Sequence, residues 1–501
     1  MSSKDELGGT GDGASSSKQA RAGGSGSRRA RRKSAPSKGA AGKGAASKER
    51  GSPAGEKGAA PRRKRARQRG GRKGGGERVA IVAGLRTPFC KAGTSLASLR
   101  STDLGVACVK ELMQRTELDP ELVTTCVYGQ VVPSVDWINI AREVVIGAGL
   151  PRQIEAYSVS QACTTSIKAM TNLAESILGG HHDIGIAGGA DSTTDIPLKV
   201  SPRLRDALMA VQKAKTLGGR LKALGKISPR DLLPGVPGFS REPTTGEQMG
   251  EAAEKMAKLN GIEREVQDRI ALASHQNAAR AWSDGTYAAE VMTIMPPPYD
   301  RPVAKDNIVR DDTSLEGLAK LKPVFDRKHG TITAGNASPL TDGAGALLLM
   351  RESRAKALGY RPLGFLRSWA YAAVDPAWQL LMAPVFAAPL ALKRAGMTLK
   401  QMDLVDMHEA FGAQIACNLQ AMASGQFAAE HLGLGQAVGE VDPDKLNVNG
   451  GSIALGHPFA ATGARMVITT LHELRRRGAS HALLTLCAGG GLGAALVLEA
   501  T

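Results

Sequence analysis

One order of elements occurs twice in this 501-residue chain, and it restricts the fold more than any compositional figure. A β-rich run, EAYSV (155–159), leads through the turn SQAC into a segment with helical spacing. There Ile167, Met170, Ala174 and Ile177 recur on one face, and Gly179-Gly180 closes it. DIGIAGGADS (183–192) then reads as a buried strand entering a glycine turn. Near the end, KLNVNGGSIALGHPFAATGARMVITTLHELRRRG (445–478) again runs from strand through glycine-rich turn into helix. The strand HALLTLC (481–487) and the run AGGGLG follow it. Cys163 occupies the first turn and His457 the second. The repeat predicts two related α/β halves, each a mixed sheet covered by helices.

The rest of the chain fits around that repeat. RVAIVAG (78–84) reads as a strand and DLGVACVKELMQRT (103–116) as a helix. Residues 201–324 break the alternation with helix-like stretches and read as an inserted, mostly helical domain. The expected division is therefore an N-terminal half over 77–200, completed by about 325–355, the insertion at 201–324, and a C-terminal half over 356–501. Within the insertion, residues 201–230 hold eight Lys/Arg against one acid. That run is either a solvated helix face or a surface for acidic ligand phosphates, a partner subunit or a membrane.

The formal charge of +18 suggests nucleic acid until it is located. Residues 1–76 carry 21 Lys/Arg and 5 Asp/Glu, so almost all of the excess lies there and the body is nearly neutral. That segment has no aromatic residue and one Leu, a composition that predicts a disordered basic tail. Its run PRRKRARQRGGRK (61–73) is either a solubilising tail or a contact for anionic partners. A mitochondrial transit peptide would need an amphipathic face that the tail lacks. No apolar run approaches a membrane span. The six cysteines form no C-x-x-C pair, which predicts a reducing compartment: cytoplasmic, or mitochondrial in a eukaryote.

Four motifs bear chemistry. Cys163 stands where the turn opens a helix, and unpaired N–H groups there favour a thiolate. Cys487 ends a buried strand and meets the AGGGLG run, whose glycines let backbone N–H groups face a ligand. The spacing is not that of a dinucleotide site. His457 lies in GHPFAATG (456–463), outside regular structure, where an imidazole can activate a nucleophile. DMHEAFGAQ (406–414) places His408 and Glu409 after an apolar strand end. Gly412 stands where a zinc-protease motif would need its second His. Taken singly, a cysteine of this kind is more often a core residue and a loop histidine more often an incidental surface residue.

Taken together, Cys163, His408-Glu409-Ala410-Phe411, Gly456-His457-Pro458, Cys487 with its glycine run, and VFDRKHGTITAGNASPLTDGAGALLLM (324–350) resemble the thiolase family over essentially all of 77–501. The nearest branch is the 3-ketoacyl-CoA thiolases of fatty-acid β-oxidation, of the type forming the β subunit of a trifunctional or multienzyme complex. SQACTTS around the cysteine, and HEAF where most thiolases have Asn-Glu-Ala-Phe, point to that branch. The resemblance implies a layered αβαβα fold with two duplicated halves, each with a five-stranded mixed sheet. It implies Cys163 as nucleophile, His457 as its base, Cys487 as acid/base and His408 holding a water. The backbone N–H groups of Cys163 and Gly489 would form an oxyanion hole. Ser338, Met249, Gln248 and Phe411 would contact the coenzyme A substrate, although many thiolases carry a His at the Gln248 position. Neither metal nor redox cofactor is implied, since coenzyme A is itself a substrate. A homodimer or homotetramer, a hydratase/dehydrogenase α subunit and a peripheral membrane contact are implied partners.

Three other functions stay open on the residues alone. These are a biosynthetic acetoacetyl-CoA thiolase, a non-catalytic acyl-CoA or lipid carrier, and a nucleic-acid binder resting only on the tail.

Overall fold

The computed structural model describes residues 77–233, 235 and 241–501. The basic tail at 1–76, with its PRRKRARQRGGRK run, lies outside the described residues.

Among the described residues, ten strands form one connected sheet. In chain order they are β1 (Val79–Arg86), β2 (Cys90–Lys91), β3 (Thr125–Gly129), β4 (Glu155–Val159), β5 (Ile184–Asp191), β6 (Thr341–Arg351), β7 (Gly364–Ala373), β8 (Leu404–Met407), β9 (His481–Ala488) and β10 (Leu492–Ala500). The order across the sheet is β4-β3-β5-β6-β1-β7-β10-β9-β8, with the short β2 paired to β6. The first half is β4-β3-β5 in parallel, followed by β6 and β1 antiparallel. The second repeats the scheme with β8-β9 parallel, then β10 and β7 antiparallel. The counterpart of β4 in the second half is a single parallel bridge from Leu446 to Val405. Pairing of Val79–Ile81 with Gly364–Leu366 joins the halves edge to edge.

Alternation along the strands sorts their side chains into three apolar layers. In β6, Leu347 and Leu349 enter a central cluster, while Leu348 and Met350 enter an outer one with helix Ser101–Thr116. In β10, Ala494, Leu496 and Leu498 join the same central cluster, and Ala495 and Val497 join a second outer one with helix Ala383–Ala395. The central layer holds helices Thr165–Leu178 and Phe459–Arg477, the two that follow the repeated turns. Ile167, Met170, Ala174 and Ile177 are all fully buried there, as their spacing predicts. This is the layered, duplicated α/β architecture expected from the sequence.

These two helices nearly touch. A side chain on Gly463 would stand 2.5 Å from Ile167 Cγ1, and Ser166 Oγ accepts a hydrogen bond of 2.8 Å from Ala464 N. Glycine thus lets the helices cross at their N-terminal ends, which is where the two turns lie.

The segment 201–324 leaves the sheet and returns to it at β6. Helices Met249–Leu259 and Arg264–Ser283 pack on helix Gly412–Ala423 of the second half. A buried Arg86, paired with Glu290 at 2.9 Å and Asp306 at 2.7 Å, ties the segment's far end to β1. Helices Pro202–Lys213 and Leu217–Leu224 instead pack chiefly on each other. All eight basic residues of 201–230 are exposed, and so are Leu208, Met209, Leu217 and Leu221. No helix among the described residues is long and apolar enough to cross a membrane.

Candidate active site

The turn that carries Cys163 is built by its neighbours. Ala162 adopts φ +47°, a left-handed conformation that is uncommon for a side-chain-bearing residue and marks a constrained site. Two threonines hold it. Thr164 Oγ1 donates to Gln161 O at 2.8 Å, while Thr165 Oγ1 donates to Ala162 O at 2.7 Å and accepts from Gln161 N at 2.8 Å. Cys163 therefore projects from a strapped bend at the start of helix Thr165–Leu178, half-buried rather than sealed in the core.

The second turn presents His457 to it. Nε2 lies 3.1 Å from Cys163 Sγ, joining residues from opposite halves. Nδ1 lies 2.7 Å from Thr462 Oγ1, one turn into the following helix. The backbone is fixed from outside, since His457 N donates to Pro339 O at 3.2 Å. Gly456, at φ +97°, has no room for a side chain: a Cβ would stand 2.4 Å from Thr341 Cγ2. Asp191, at the end of β5, accepts from Ala460 N at 2.8 Å and so braces the helix that follows His457.

His408 follows β8 and its N donates to Thr485 O at 2.8 Å. Its ring centroid lies 4.3 Å from that of His457. Nδ1 is 2.9 Å from Ser452 Oγ, while Nε2 is buried with no hydrogen-bond partner among the described residues. Glu409, next in the chain, does not face the thiol. It accepts from Ser274 Oγ (2.6 Å), Asn447 Nδ2 (2.7 Å) and Ile453 N (3.2 Å), bracing the loop that leads to His457.

Cys487 is buried near the end of β9, close enough that charge on Cys163 raises its pKa further, beyond the larger effect of burial. Two residues on, the N–H of Gly489 and that of Cys163 itself both favour charge on the Cys163 sulfur. Gly490 N donates to the buried Glu242 Oε2 at 3.1 Å, which anchors the glycine run to the insertion. Met249 Sδ would lie 3.9 Å from a side chain on Gly489, so the thioether sits beside that loop. Gln248 precedes helix Met249–Leu259, and its N–H donates to Glu251 at 2.7 Å. Ser338 N donates to Ala410 O at 3.0 Å, and Phe411 bridges to Ala337 and packs edge-on to Phe325. The fold thus brings Cys163, His457, His408, Cys487 and Gly489 together, with Met249 beside the last. Phe411 ends the HEAF segment, and Ser338 hydrogen-bonds to its Ala410.

Electrostatics correct one expectation. The N–H groups of Gly489 and Cys163 do favour a Cys163 thiolate, but burial outweighs them and pushes the thiol up to about 12. Burial, helped by the nearby Arg465 charge, lowers His457 to about 3; burial, then the His457 and Arg465 charges, lowers His408 well below its usual range. The resting site is an uncharged thiol beside two neutral imidazoles. Donor atoms of Cys163, His408 and His457 all lie within 4.8 Å of one another, a donor set of the kind zinc accepts. The Cys163–His457 hydrogen bond already engages two of the three.

Sequence reasoning missed Thr462, Ser452, Arg465 and Asp191. The first three lie within or beside the GHPFAATG motif, and Asp191 is an acid ending an otherwise apolar strand. A charged group in an apolar run was the available signal for Asp191 and Arg465.

Comparison with known proteins agrees with this geometry. The thiolase N-terminal domain profile matches residues 79–353 and the thiolase C-terminal domain profile residues 360–500. A 3-ketoacyl-CoA thiolase of Photobacterium profundum is 53% identical over 425 residues, covering 85% of this chain and 97% of that protein. One from Escherichia coli is 54% identical with the same coverage. Among solved structures, human mitochondrial 3-ketoacyl-CoA thiolase matches at TM-score 0.73 and 31% identity, covering 85% of this chain and 99% of that one. The Bacillus anthracis acetyl-CoA acetyltransferase matches at TM-score 0.73 and 30% identity, with the same coverage. Two turns from duplicated halves, meeting at a thiol and an imidazole, accompany these matches, and the chain belongs to the thiolase family.

Proposed function

We infer that this chain is a 3-ketoacyl-CoA thiolase, cleaving 3-ketoacyl-CoA with free CoA to acetyl-CoA and an acyl-CoA two carbons shorter. The observation that carries the reading is the 3.1 Å contact between Cys163 Sγ and His457 Nε2. His457 Nε2 takes the thiol proton as the sulfur attacks the 3-keto carbon. Because both groups are neutral at rest, proton transfer accompanies attack. Cleavage of the C2–C3 bond leaves an acyl group on Cys163 and the enolate of acetyl-CoA. The enolate oxygen is held by His457 and by His408, directly or through a bound water. Cys487 protonates the enolate carbon, and its thiolate then takes the proton of the incoming CoA. CoA sulfur attacks the acyl–Cys163 thioester, the N–H groups of Cys163 and Gly489 stabilise the tetrahedral oxyanion, and its collapse breaks the C–S bond to Cys163, whose thiolate recovers the proton held by His457. Kinetics are ping-pong. Protein side chains supply every proton transfer, so the scheme needs no metal or redox cofactor.

Met249 and Ser338 contact the pantetheine arm in this proposal, and Gln248 and Phe411 also line the substrate site. The placement of Met249 beside Gly489 supports it best. The exposed basic and leucine-bearing helices of 202–224 suit a surface contact: the α subunit of a β-oxidation complex, or a membrane surface that delivers long acyl chains. A homodimer or homotetramer in the cytoplasm completes the proposal.

The test is thiolysis of 3-ketoacyl-CoA substrates from C4 to C16, with Cys163→Ala beside the wild-type protein. Cleavage favouring medium or long chains and absent in the variant is expected. Activity confined to C4 would move the reading to the biosynthetic branch. Acyl-CoA binding without cleavage at any length would make the protein a carrier.

A further inference from the structure

His408 raises a question that its position alone does not answer. A neutral imidazole has one donor and one acceptor nitrogen, and only a donor stabilises a developing oxyanion. Its Nε2 is the nitrogen without a protein partner, in a ring that is fully buried beside His457. Which nitrogen carries the proton is set by what Nδ1 meets.

Nδ1 meets Ser452 Oγ at 2.9 Å, and Ser452 Oγ in turn lies 3.1 Å from Arg465 Nη2. Arg465 is fully buried and can only donate. It therefore takes an acceptor lone pair of Ser452 and leaves that hydroxyl's hydrogen to be placed. Ser452 is also fully buried, and Nδ1 is the acceptor within reach. Placing the proton on Nδ1 instead would direct two donors at one hydroxyl, strand the hydroxyl hydrogen, and turn a bare Nε2 lone pair towards the enolate. Arg465 is itself steadied by Asp406, 3.6 Å from its Nη1, and Thr470 Oγ1 donates to the same carboxylate at 3.2 Å.

We propose that Ser452 and Arg465 are positioning residues that hold His408 as its Nε2–H tautomer, making it a hydrogen-bond donor to the enolate oxygen or to water bound there. The inference rests on the thiolase reading above. Neither residue touches substrate; both act through His408. Thr462 Oγ1, 2.7 Å from His457 Nδ1, can do the reverse for His457: by accepting from Nδ1–H it would leave Nε2 bare to receive the thiol proton.

The test is a double-mutant cycle between Ser452→Ala and His408→Asn, assayed by thiolysis with thermal stability followed in parallel. An Asn amide always presents a donor, so no tautomer has to be selected. In the His408 background, Ser452→Ala should lower kcat by about tenfold to a hundredfold with KM little changed, less than the ~10²–10³ lost when an oxyanion donor is removed outright. In the Asn background the same change should cost less than about twofold. Equal losses in both backgrounds, or no loss in the first, would overturn the proposal. ¹⁵N NMR of histidine-labelled wild-type protein reads the tautomer directly and decides the matter if Ser452→Ala does not fold. A His408 proton on Nε2 is expected, and one on Nδ1 would sink the idea. Wild-type protein inactive on every substrate would count against the thiolase reading, while the NMR result would still decide the tautomer.

Discussion

The rings of His408 and His457 lie 4.3 Å apart between centroids and 47° out of plane, yet different hydroxyls hold them, Ser452 Oγ for one and Thr462 Oγ1 for the other. Both rings are buried and their pKa values are pushed down, and in both the Nδ1 atom faces a hydroxyl; Nε2 of His457 meets the Cys163 thiol, while Nε2 of His408 has no hydrogen-bond partner among the described residues. Under the proposal above, two adjacent imidazoles serve as base and as donor without exchanging roles: Arg465 donates to the hydroxyl that holds His408, while the Cys163 thiol lies against Nε2 of His457.

Loss of either cysteine separates the two halves of the chemistry. Cys163→Ser should lower kcat by roughly 10³-fold or more, since a hydroxyl is a far weaker nucleophile. No acyl adduct should appear in intact-protein mass spectra after incubation with 3-ketoacyl-CoA alone. Cys487→Ala should lose about 10²–10⁴-fold, the usual worth of a positioned acid/base, with KM within a few-fold. An acyl adduct on Cys163→Ala, which has no nucleophile at that position, would show that the nucleophile lies elsewhere.

Thiol reactivity should rise late with pH. Burial holds Cys163 near 12, above the ~8.5 of a free thiol. Iodoacetamide alkylation of the peptide containing Cys163 should be slower than that of free cysteine at pH 7 and still be climbing above pH 9. A rate already level by pH 7 would mean a resting thiolate and an ion-paired site.

His275 should make stability depend on acid. Its Nδ1 accepts from Arg310 N at 3.2 Å, and burial, then the Arg310 charge, lowers its pKa to about 4. A lowered imidazole pKa means that only the unfolded chain binds the proton between about 6.5 and 4. Its stabilising contribution is therefore full above pH 6.5 and is lost as pH falls towards 4. The stability margin of wild type over His275→Gln should narrow by up to about 3 kcal/mol between pH 7 and pH 4 in urea titrations. A constant margin would show that His275 is not held neutral.

Gly451→Ala should damage site and fold together. Its methyl would stand 2.2 Å from Glu409 Cδ, inside the cluster that braces the loop before Ser452 and His457. A cost of about 1–3 kcal/mol from overpacking is expected. kcat should fall as well, measured below the lowered melting temperature. Unchanged kcat with lowered stability would mean that the Glu409 cluster does not control the histidines.

Much of the site was legible in the order of residues. The repeated strand-turn-helix order located Cys163 and His457 at equivalent turns, and a cysteine before a glycine run marked Cys487, because local periodicity and turn residues are written in neighbouring positions. Local pattern carries no information about which distant groups share a hydrogen bond. The 294-residue separation of Cys163 and His457 closes only because Gly463 lets two buried helices cross. Likewise Arg465, which reads as one more base in a helix, becomes the partner of Ser452 only when the fold excludes water around it. The charge state of the thiol also waited for the fold, since a helix N-terminus argues for a thiolate and only burial, a property of the whole packed chain, reverses it. Sequence alone determined the duplicated halves and the reactive side chains. Tertiary structure decided their pairing, tautomers and protonation, because these depend on desolvation and on contacts between residues far apart in the chain.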